Sequence, residues 1–436
     1  MTDVRASRGP AARGSVARVG AATAVAALCG YAVIYLAARD LAPGGYSIFG
    51  VFWGAFGMVA GATYGFLQET TREIRSARSA TNTKGATGAT GATGLAPPGR
   101  THPLRVAALI GVAAAAAMAG SSPWWAGRVF AEERWLSVGL LSVGLAGFCL
   151  HATLGGMLAG ADQWSGYGAL MVTDAVIRVG IAAATVAFGW GLAGFLWATV
   201  TGSVAWLMVL AASPTARATA RLLTPGGTAE FLRGVAHSVT AALASAILVM
   251  GFPVLLKLTS SQLGAQGGVI ILAVTLTRAP LLVPLTAMQG NLIGHFVDAR
   301  GEVDARGDRL RRLLAPAGII GGIGAIGVLA ASLVGPWLLR VAFGPQYQAS
   351  GALLAWLTAA AVAIAMLTLT GAATVAVALH RAYSLGWVGA TLASGLLLLL
   401  PLSLPNRTVI ALLCGPLVGI GVHLVALSRA GQADPR

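Results

Sequence analysis

Charged side chains are scarce in the apolar stretches of this sequence, and three of them could do chemistry there. Asp174 and Arg178 lie four residues apart in one stretch, so on a helix they share a face. They form either a self-neutralising structural pair or part of a site for cargo or protons. Arg278 lies in another stretch with no acidic residue near it. Because an ionisable group in a membrane-spanning segment costs about 2.5–3.5 kcal/mol to insert, all three are candidate site residues.

The stretch around Arg278 also carries uncharged polar side chains, which are Thr275, Thr277, Gln289 and Asn291. A guanidinium offers planar, paired donors that suit phosphate oxygens. An arginine without an acidic neighbour on a polar helix therefore favours an anionic cargo such as a phosphate or a pyrophosphate. We expect Arg278, Gln289 and Asn291 to contact it.

Other chemistries have no motif in the sequence. The only lysines, Lys84 and Lys257, do not follow a glycine, which excludes the ending of a nucleotide-binding P-loop. The three cysteines lie far apart in apolar stretches, and no group of histidines or carboxylates has the spacing of metal ligands. We therefore expect no catalytic residue, no metal and no cofactor.

Composition places these residues in a membrane. Of the 436 residues, 56% are hydrophobic and only 10% are charged, whereas soluble domains carry about 25% charged residues. A spanning helix needs about 20 apolar residues, so the chain has room for roughly 12 spans. Twelve apolar stretches have this length, at about residues 17–38, 46–68, 105–122, 136–159, 167–188, 191–212, 234–256, 268–296, 313–338, 350–379, 382–402 and 408–428.

The net charge of +15 is explained by topology. With the N-terminus placed inside, alternate loops hold 21 lysines and arginines on the inner side and six on the outer side. The positive-inside rule then places both termini in the cytoplasm of a multi-pass protein of the cell membrane. Because the basic residues are spread over several short loops, they do not predict binding to nucleic acid.

Two longer loops divide the chain. Residues 71–102 include a Gly-Ala-Thr repeat and two adjacent prolines, which predict a disordered cytoplasmic loop. Residues 213–233 form a cytoplasmic linker near the midpoint. We therefore predict the following parts: a basic tail (1–16), a six-helix lobe (17–212), the linker, a second six-helix lobe (234–428) and a short cytoplasmic tail (429–436).

The two predicted lobes resemble each other in sequence. Residues 30–36 and 41–48 align with 251–257 and 263–270, and residues 123–130 align with 336–343. Since each lobe has an even number of spans, the repeat is parallel. Two similar bundles suit alternating access, and the predicted fold is an all-α polytopic membrane protein. Glycines four residues apart, at 50 and 54 and at 318 and 322, predict close helix packing.

Several short motifs resemble a known superfamily. They are Leu41-Ala-Pro-Gly-Gly-Tyr46, Gly65-Phe-Leu-Gln-Glu-Thr-Thr-Arg72, Arg278-Ala-Pro280 and Phe343-Gly-Pro-Gln-Tyr347. With twelve spans in two halves, they resemble the multidrug, oligosaccharidyl-lipid and polysaccharide exporters, and within these the Wzx-type flippases of polysaccharide biosynthesis. The resemblance implies a cationic cavity containing Arg278. The first two spans lack the internal arginines of related lipid II flippases, so a peptidoglycan precursor is a less suitable cargo.

Three functions follow as hypotheses. The first is a transporter that flips a polyprenyl-pyrophosphate-linked oligosaccharide to the outer leaflet, supplied by glycosyltransferases or used by a polymerase of the same pathway. The second is a small-molecule or drug exporter of the same superfamily, coupled to protons or sodium. The third is a membrane-embedded polysaccharide polymerase or glycosyltransferase. This third class suits the sequence least, because its longest outer loop, about residues 121–135, has only about a dozen residues.

Overall fold

The computed structural model describes residues 10–86, 101–130, 132–224, 226–298, 306–377 and 379–430. Within these ranges, side chains are described except for residues 10–17, 79–86, 286–298, 306–312 and 430. The described chain is helical apart from short connections and one isolated β-bridge between Thr101 and Thr224. The predicted all-α membrane fold is therefore confirmed.

The first eight helices end near the midpoint of the chain. They are α1 (Pro10–Asp40), α2 (Pro43–Ala86), α3 (Pro103–Val129), α4 (Arg134–Gly160), α5 (Trp164–Phe188), α6 (Gly191–Thr201), α7 (Ala205–Ala212) and α8 (Pro214–Ala220). A 3₁₀ turn, Gly202–Val204, joins α6 to α7.

The remaining helices start with α9, whose first residues lie within the predicted linker. They are α9 (Thr228–Val249), α10 (Phe252–Leu258), α11 (Gly264–Asp298), α12 (Arg306–Leu333), α13 (Gly335–Phe343), α14 (Gly351–Ala376), α15 (His380–Leu397) and α16 (Leu404–Ala430).

Among the described residues, eleven helices or joined helices are long and apolar enough to cross a membrane. The remaining predicted span, the eleventh, at residues 382–402, corresponds to the shorter helix α15. The seventh predicted span consists of two helices, because α9 ends at Val249 and α10 begins at Phe252. Pro253 stands in the first turn of α10, where its missing N–H costs no helical hydrogen bond.

Helix α2 extends well beyond the membrane segment predicted for it. Residues 71–86 are helical, so the prediction of a loop from residue 71 is wrong for this part, while most of the Gly-Ala-Thr repeat lies outside the described residues. The extension is held by side chains whose partners are distant in sequence. Arg75 donates to Ala159 O at 3.4 Å, and Arg78 donates to Gly160 O at 3.3 Å and pairs with Asp162 at 2.7 Å. These bonds satisfy carbonyls at the C-terminus of α4.

Helix α3 also continues where a loop was predicted. It passes through Pro123 and ends at Val129, so most of the predicted outer loop at 121–135 is helical. Proline lacks the N–H that would bond to the carbonyl of Ala119. The hydroxyl of Ser122 donates to this carbonyl instead, at 2.7 Å. The side chain therefore replaces the backbone bond that the proline removes.

The chain forms two compact units that are not contiguous in sequence. Unit 1 contains Met1–Leu36, Val59–Gly127 and Glu133–Leu243. Unit 2 contains Ala37–Met58, Arg128–Glu132 and Ala244–Arg436. Residues 43–58 of α2 thus belong to unit 2 and the rest of the helix to unit 1. The predicted lobes at 17–212 and 234–428 stay a prediction.

Candidate functional site

In unit 1, the structure brings Asp174 and Arg178 together on α5. Arg178 Nε donates to Asp174 Oδ1 at 2.9 Å, as their spacing predicts. The side chain of Arg178 is 12% exposed and that of Asp174 is 19% exposed. The negative charge of the carboxylate is therefore largely neutralised by a neighbour on its own helix.

An aromatic ring lies beside the guanidinium of this ion pair. The guanidinium of Arg178 lies 5.4 Å from the ring centroid of Phe148, and the ring of His151 stacks on Phe148 at 4.9 Å. A cation over an aromatic face is attracted by the ring quadrupole. The Nδ1 atom of His151 is buried and has no hydrogen-bond partner among the described residues. Sequence reasoning missed Phe148 and His151 as members of this site, because their contacts with α5 are long-range.

A close backbone approach makes room for the pair. Gly202 begins the 3₁₀ turn in the sixth span, and a Cβ built on it would overlap Asp174 Oδ1 and come within 2.5 Å of Arg178 Nε. Only glycine leaves this space. Sequence reasoning missed Gly202 as well, since it is one of 59 glycines in the chain.

The carboxylate of Asp174 belongs to the wall of a small cavity in unit 1. The cavity has a volume of about 150 Å³, and its polar lining includes Thr63, Tyr64, His151, Tyr167 and Asp174. With about 30 Å³ per water in the liquid, it has room for a few waters or a small cation. Chemically, this arrangement can bind or transfer a proton, or hold a small cation beside the carboxylate.

In unit 2, Arg278 is almost fully enclosed, with 7% of its surface exposed. Its Nη1 atom donates to Val249 O at 2.9 Å, and its guanidinium lies 5.4 Å from the ring centroid of Phe252. Val249 is the last residue of α9, so the cation lies at the negative end of that helix, beside the break before α10.

The hydrogen bonding of Arg278 is incomplete. Its Nη2 atom is buried without a hydrogen-bond partner among the described residues, and no ion pair joins Arg278 to a described carboxylate. Leaving a buried donor unpaired costs about 1–3 kcal/mol. The guanidinium therefore keeps a donor nitrogen that no described residue uses, besides the one bonded to Val249.

The other polar residues predicted for this site are Thr275, Thr277, Gln289 and Asn291. Thr275 and Thr277 donate to carbonyls of their own helix, Ile271 O and Ala273 O, both at 2.8 Å. Gln289 and Asn291 lie on α11, but their side chains are outside the described ones. The structure brings Asp174 and Arg178 together in unit 1, and Arg278 belongs to unit 2.

Comparisons with known proteins identify relatives of the whole chain. No protein-family model matches it. The uncharacterized protein Rv3630 of Mycobacterium tuberculosis is 71% identical over 427 residues, covering 98% of this chain and 95% of the relative. A Mycobacterium bovis protein, Mb3654, has the same identity and coverage. The uncharacterized protein Rv1510 of M. tuberculosis is 68% identical over 432 residues, covering 98% of this chain and 96% of the relative.

Solved structures show the same fold at low sequence identity. An inward-facing multidrug resistance MATE family transporter of the MOP superfamily superposes with a TM-score of 0.72 at 16% identity, over 94% of this chain and 96% of the other. An outward-facing MATE transporter gives a TM-score of 0.66 at 16% identity, over 97% and 96%. The chain is thus a multi-pass membrane protein with the MATE transporter fold, and it belongs to the mycobacterial protein family that includes Rv3630 and Rv1510.

Proposed function

We propose that the protein flips a polyprenyl-pyrophosphate-linked oligosaccharide across the cell membrane, from the cytoplasmic to the outer leaflet, by alternating access. Both termini then face the cytoplasm, and the glycosyltransferases of the same pathway supply the cargo. The observation that carries this proposal is the buried guanidinium of Arg278, which has one donor nitrogen without a partner in the described chain.

The energetics of Arg278 favour an anionic ligand. Enclosing a cation in a membrane segment is expensive, and the unpaired Nη2 adds the cost of an unmade hydrogen bond. A phosphate oxygen would satisfy Nη2 and compensate the charge in one contact, and such charge-assisted bonds are about twice as strong as neutral ones. Pyrophosphate on a lipid carrier provides this oxygen at membrane depth, where Arg278 lies.

The ion pair between Asp174 and Arg178 favours an anionic cargo over a cationic drug. A cationic compound needs a carboxylate that is not already neutralised. Asp174 accepts the Nε donor of Arg178 at 2.9 Å, so a cationic cargo would have to displace the arginine. An anionic cargo meets no such competition at Arg278.

Reconstituted vesicles test the proposal. The probe is a fluorescent polyprenyl-pyrophosphate disaccharide, whose transfer to the outer leaflet is followed by quenching with an impermeant reductant. We expect Arg278→Ala to abolish transfer and Arg278→Lys to retain part of it. Arg340→Ala is the matched control, because Arg340 is exposed on α13 and bonds only to Pro336 O among described residues.

Equal transfer by the wild type, Arg278→Ala and Arg340→Ala would contradict the role of Arg278. Gel filtration of each variant separates loss of transport from loss of folding. A glycosyl product in the same vesicles would contradict the expectation that the protein is not an enzyme.

A second candidate is an exporter of small molecules or drugs coupled to protons or sodium. The cavity beside Asp174 and His151 favours it, since a buried carboxylate can bind either ion. Asp174→Asn then lowers cellular drug resistance while transfer of the lipid-linked disaccharide is unaffected. Under the first proposal, drug resistance is the same with and without the protein.

A further inference from the structure

A second, larger cavity lies at one end of unit 2. It has a volume of about 860 Å³ and is formed by the first turns of α11, α14 and α16 together with the connection before α14. This volume is within the range of about 300–1,000 Å³ that is usual for ligand pockets. The loop charges predict that this end faces the outside of the cell.

The polar lining of this cavity is uncharged. It consists of the side chains of Gln266, Gln348, Ser350 and Asn406, and none of the described lining residues is ionisable. A side-chain amide is both a donor and an acceptor, as is a sugar hydroxyl group. Neutral groups of this kind match a neutral hydroxylated ligand and offer nothing to neutralise a phosphate.

Most of this hydrogen-bonding capacity is unused. The side chains of Gln266 and Asn406 make no hydrogen bond with any described residue. Gln348 donates once, to Pro345 O at 3.0 Å. The hydroxyl oxygen of Ser350 accepts from Leu353 N at 3.2 Å, which leaves its O–H free to donate. A ligand can thus make several hydrogen bonds without breaking those of the protein.

An aromatic face completes the wall. Trp356 lines the cavity and is 55% exposed. The apolar face of an indole ring packs well against the C–H face of a pyranose, while the edges of the sugar carry the hydroxyl groups. One tryptophan among amides therefore supplies both kinds of contact that a sugar needs.

The connection before α14 is anchored before any ligand binds. Tyr347 is fully buried, donates through its hydroxyl to Leu41 O at 3.2 Å and packs edge-on against Tyr46 at 6.0 Å. This fixes the backbone between Gln346 and Gln348. A rigid site spends less of its binding energy on ordering loops.

The start of α16 is anchored in a similar way. Arg407, next to Asn406, donates to Thr259 O at 3.0 Å, to Leu398 O at 3.2 Å and to the Ser260 hydroxyl at 2.6 Å. These bonds join the end of α10, the end of α15 and the beginning of α16. Asn406 is therefore held at a fixed position in the cavity wall.

From this lining we propose that the cavity is an oligosaccharide-binding site, which holds the neutral sugars of the cargo through Gln266, Gln348, Asn406 and the ring of Trp356. The inference rests on the proposed function for the source of the sugar. It differs from the role of Arg278, because it assigns the sugar and the pyrophosphate to separate sites.

Binding to the purified full-length protein in nanodiscs tests the inference without transport. The probe is a tritium-reduced mixture of neutral oligosaccharides released by mild acid from the surface polysaccharide of the source cell. We expect saturable binding that Gln348→Ala, Asn406→Ala and Trp356→Ala each weaken about threefold to tenfold, the usual effect of one lost contact. Inorganic pyrophosphate should not compete.

Three matched controls are available in unit 2. Gln346→Ala and Gln262→Ala each remove a side-chain amide outside the cavity lining, as controls for Gln348→Ala and Asn406→Ala. Trp337→Ala removes an indole ring outside the lining; Trp337 is 56% exposed and Trp356 is 55% exposed. These controls should bind the oligosaccharides as the wild type does. Equal loss in variants and controls, no saturable binding, or displacement by pyrophosphate would each overturn the inference.

The vesicle assay distinguishes this failure from failure of the proposed function. Transfer of the lipid-linked disaccharide without oligosaccharide binding in the cavity would overturn the inference alone. Oligosaccharide binding without transfer would support the inference and contradict flipping.

Discussion

Replacing Gly202 with alanine tests the geometry of the Asp174–Arg178 pair. The new Cβ would overlap Asp174 Oδ1 and crowd Arg178 Nε, so the pair has to move or the 3₁₀ turn has to shift. Overpacking of this kind costs about 1–3 kcal/mol. Gly180→Ala is the matched control on α5, because its added Cβ meets nothing within 4 Å. There the lower flexibility of alanine should stabilise the helix by about 0.5–1 kcal/mol.

The two variants should therefore differ by about 1.5–4 kcal/mol in the free energy of unfolding. The assay measures the midpoint of thermal unfolding in detergent, with the folded fraction determined by gel filtration. All variants are heated at the same rate, because the midpoint depends on the heating rate when unfolding is irreversible. For a unit of about 200 residues, a change of 1 kcal/mol shifts the midpoint by about 2–4 °C. We expect Gly202→Ala to unfold several degrees below Gly180→Ala.

A double variant identifies the cause of the loss. Asp174→Ala removes the atom that the new Cβ would overlap, so Gly202→Ala should cost less in that background than in the wild type. Coupling of this kind between contacting residues is typically about 0.5–3 kcal/mol. Strictly additive effects, or equal midpoints for Gly202→Ala and Gly180→Ala, would refute the close approach of α5 and the sixth span.

Three further substitutions test other parts of the fold. Ser122→Ala removes the donor to Ala119 O and should destabilise the protein by about 1–3 kcal/mol. Ser428→Ala is the control and should cost less, because Ser428 also donates to a carbonyl of its own helix but the next residue is not a proline. Equal thermal midpoints would contradict the compensation at Pro123. Arg407→Met removes three hydrogen bonds and should lower the free energy of unfolding by about 1.5–4 kcal/mol. Arg340→Met, at an exposed position, is the control and should have little effect. Comparable losses in the two variants would show that the anchor of α16 is unimportant. Burial raises the pKa of Tyr347 above its ordinary value of 10.0, so the neutral ring contributes stability that is present below pH 10 and is lost as the pH rises above it. Tyr347→Phe should therefore reduce the alkaline loss of stability between pH 10 and 11.5, and an unaltered pH profile would argue against a buried phenol.

The sequence predicts the membrane helices well because hydropathy acts locally. Each apolar stretch of about 20 residues must satisfy its own backbone groups in lipid, so a helix follows from composition alone. The face shared by Asp174 and Arg178 also follows from spacing on one helix. Both predictions needed no knowledge of distant contacts.

Features that depend on distant residues could not be predicted. The extension of α2 depends on Arg78 meeting Asp162, which is distant in sequence. The path of α3 through Pro123 was missed for a different reason: it depends on a local contact in which the Ser122 hydroxyl replaces a backbone donor. Neither compensation has a sequence signature. The cavity of 860 Å³ is similarly formed by three helix starts far apart in the chain.

The spacing of glycines is a further pattern that predicts packing only in part. A Cβ at Gly50 would lie 2.6 Å from Ile271 Cγ2, and one at Gly54 would lie 2.9 Å from Met250 O, so this pair permits close packing as predicted. Gly318 and Gly322 have the same spacing, yet an added Cβ at either meets nothing within 4 Å. Spacing alone does not say which glycine faces a neighbouring helix.

The central claim is that the protein moves a lipid-linked oligosaccharide between leaflets, and its most direct test is the leaflet distribution of that lipid after depletion of the protein. Spheroplasts are treated with an impermeant glycosidase, and the protected and the digested lipid-linked oligosaccharide are measured by mass spectrometry. The account predicts that the protected, cytoplasmic pool increases as the protein is depleted and that wild-type protein, but not Arg278→Ala, restores the distribution. An unchanged ratio of the two pools after complete depletion would contradict it.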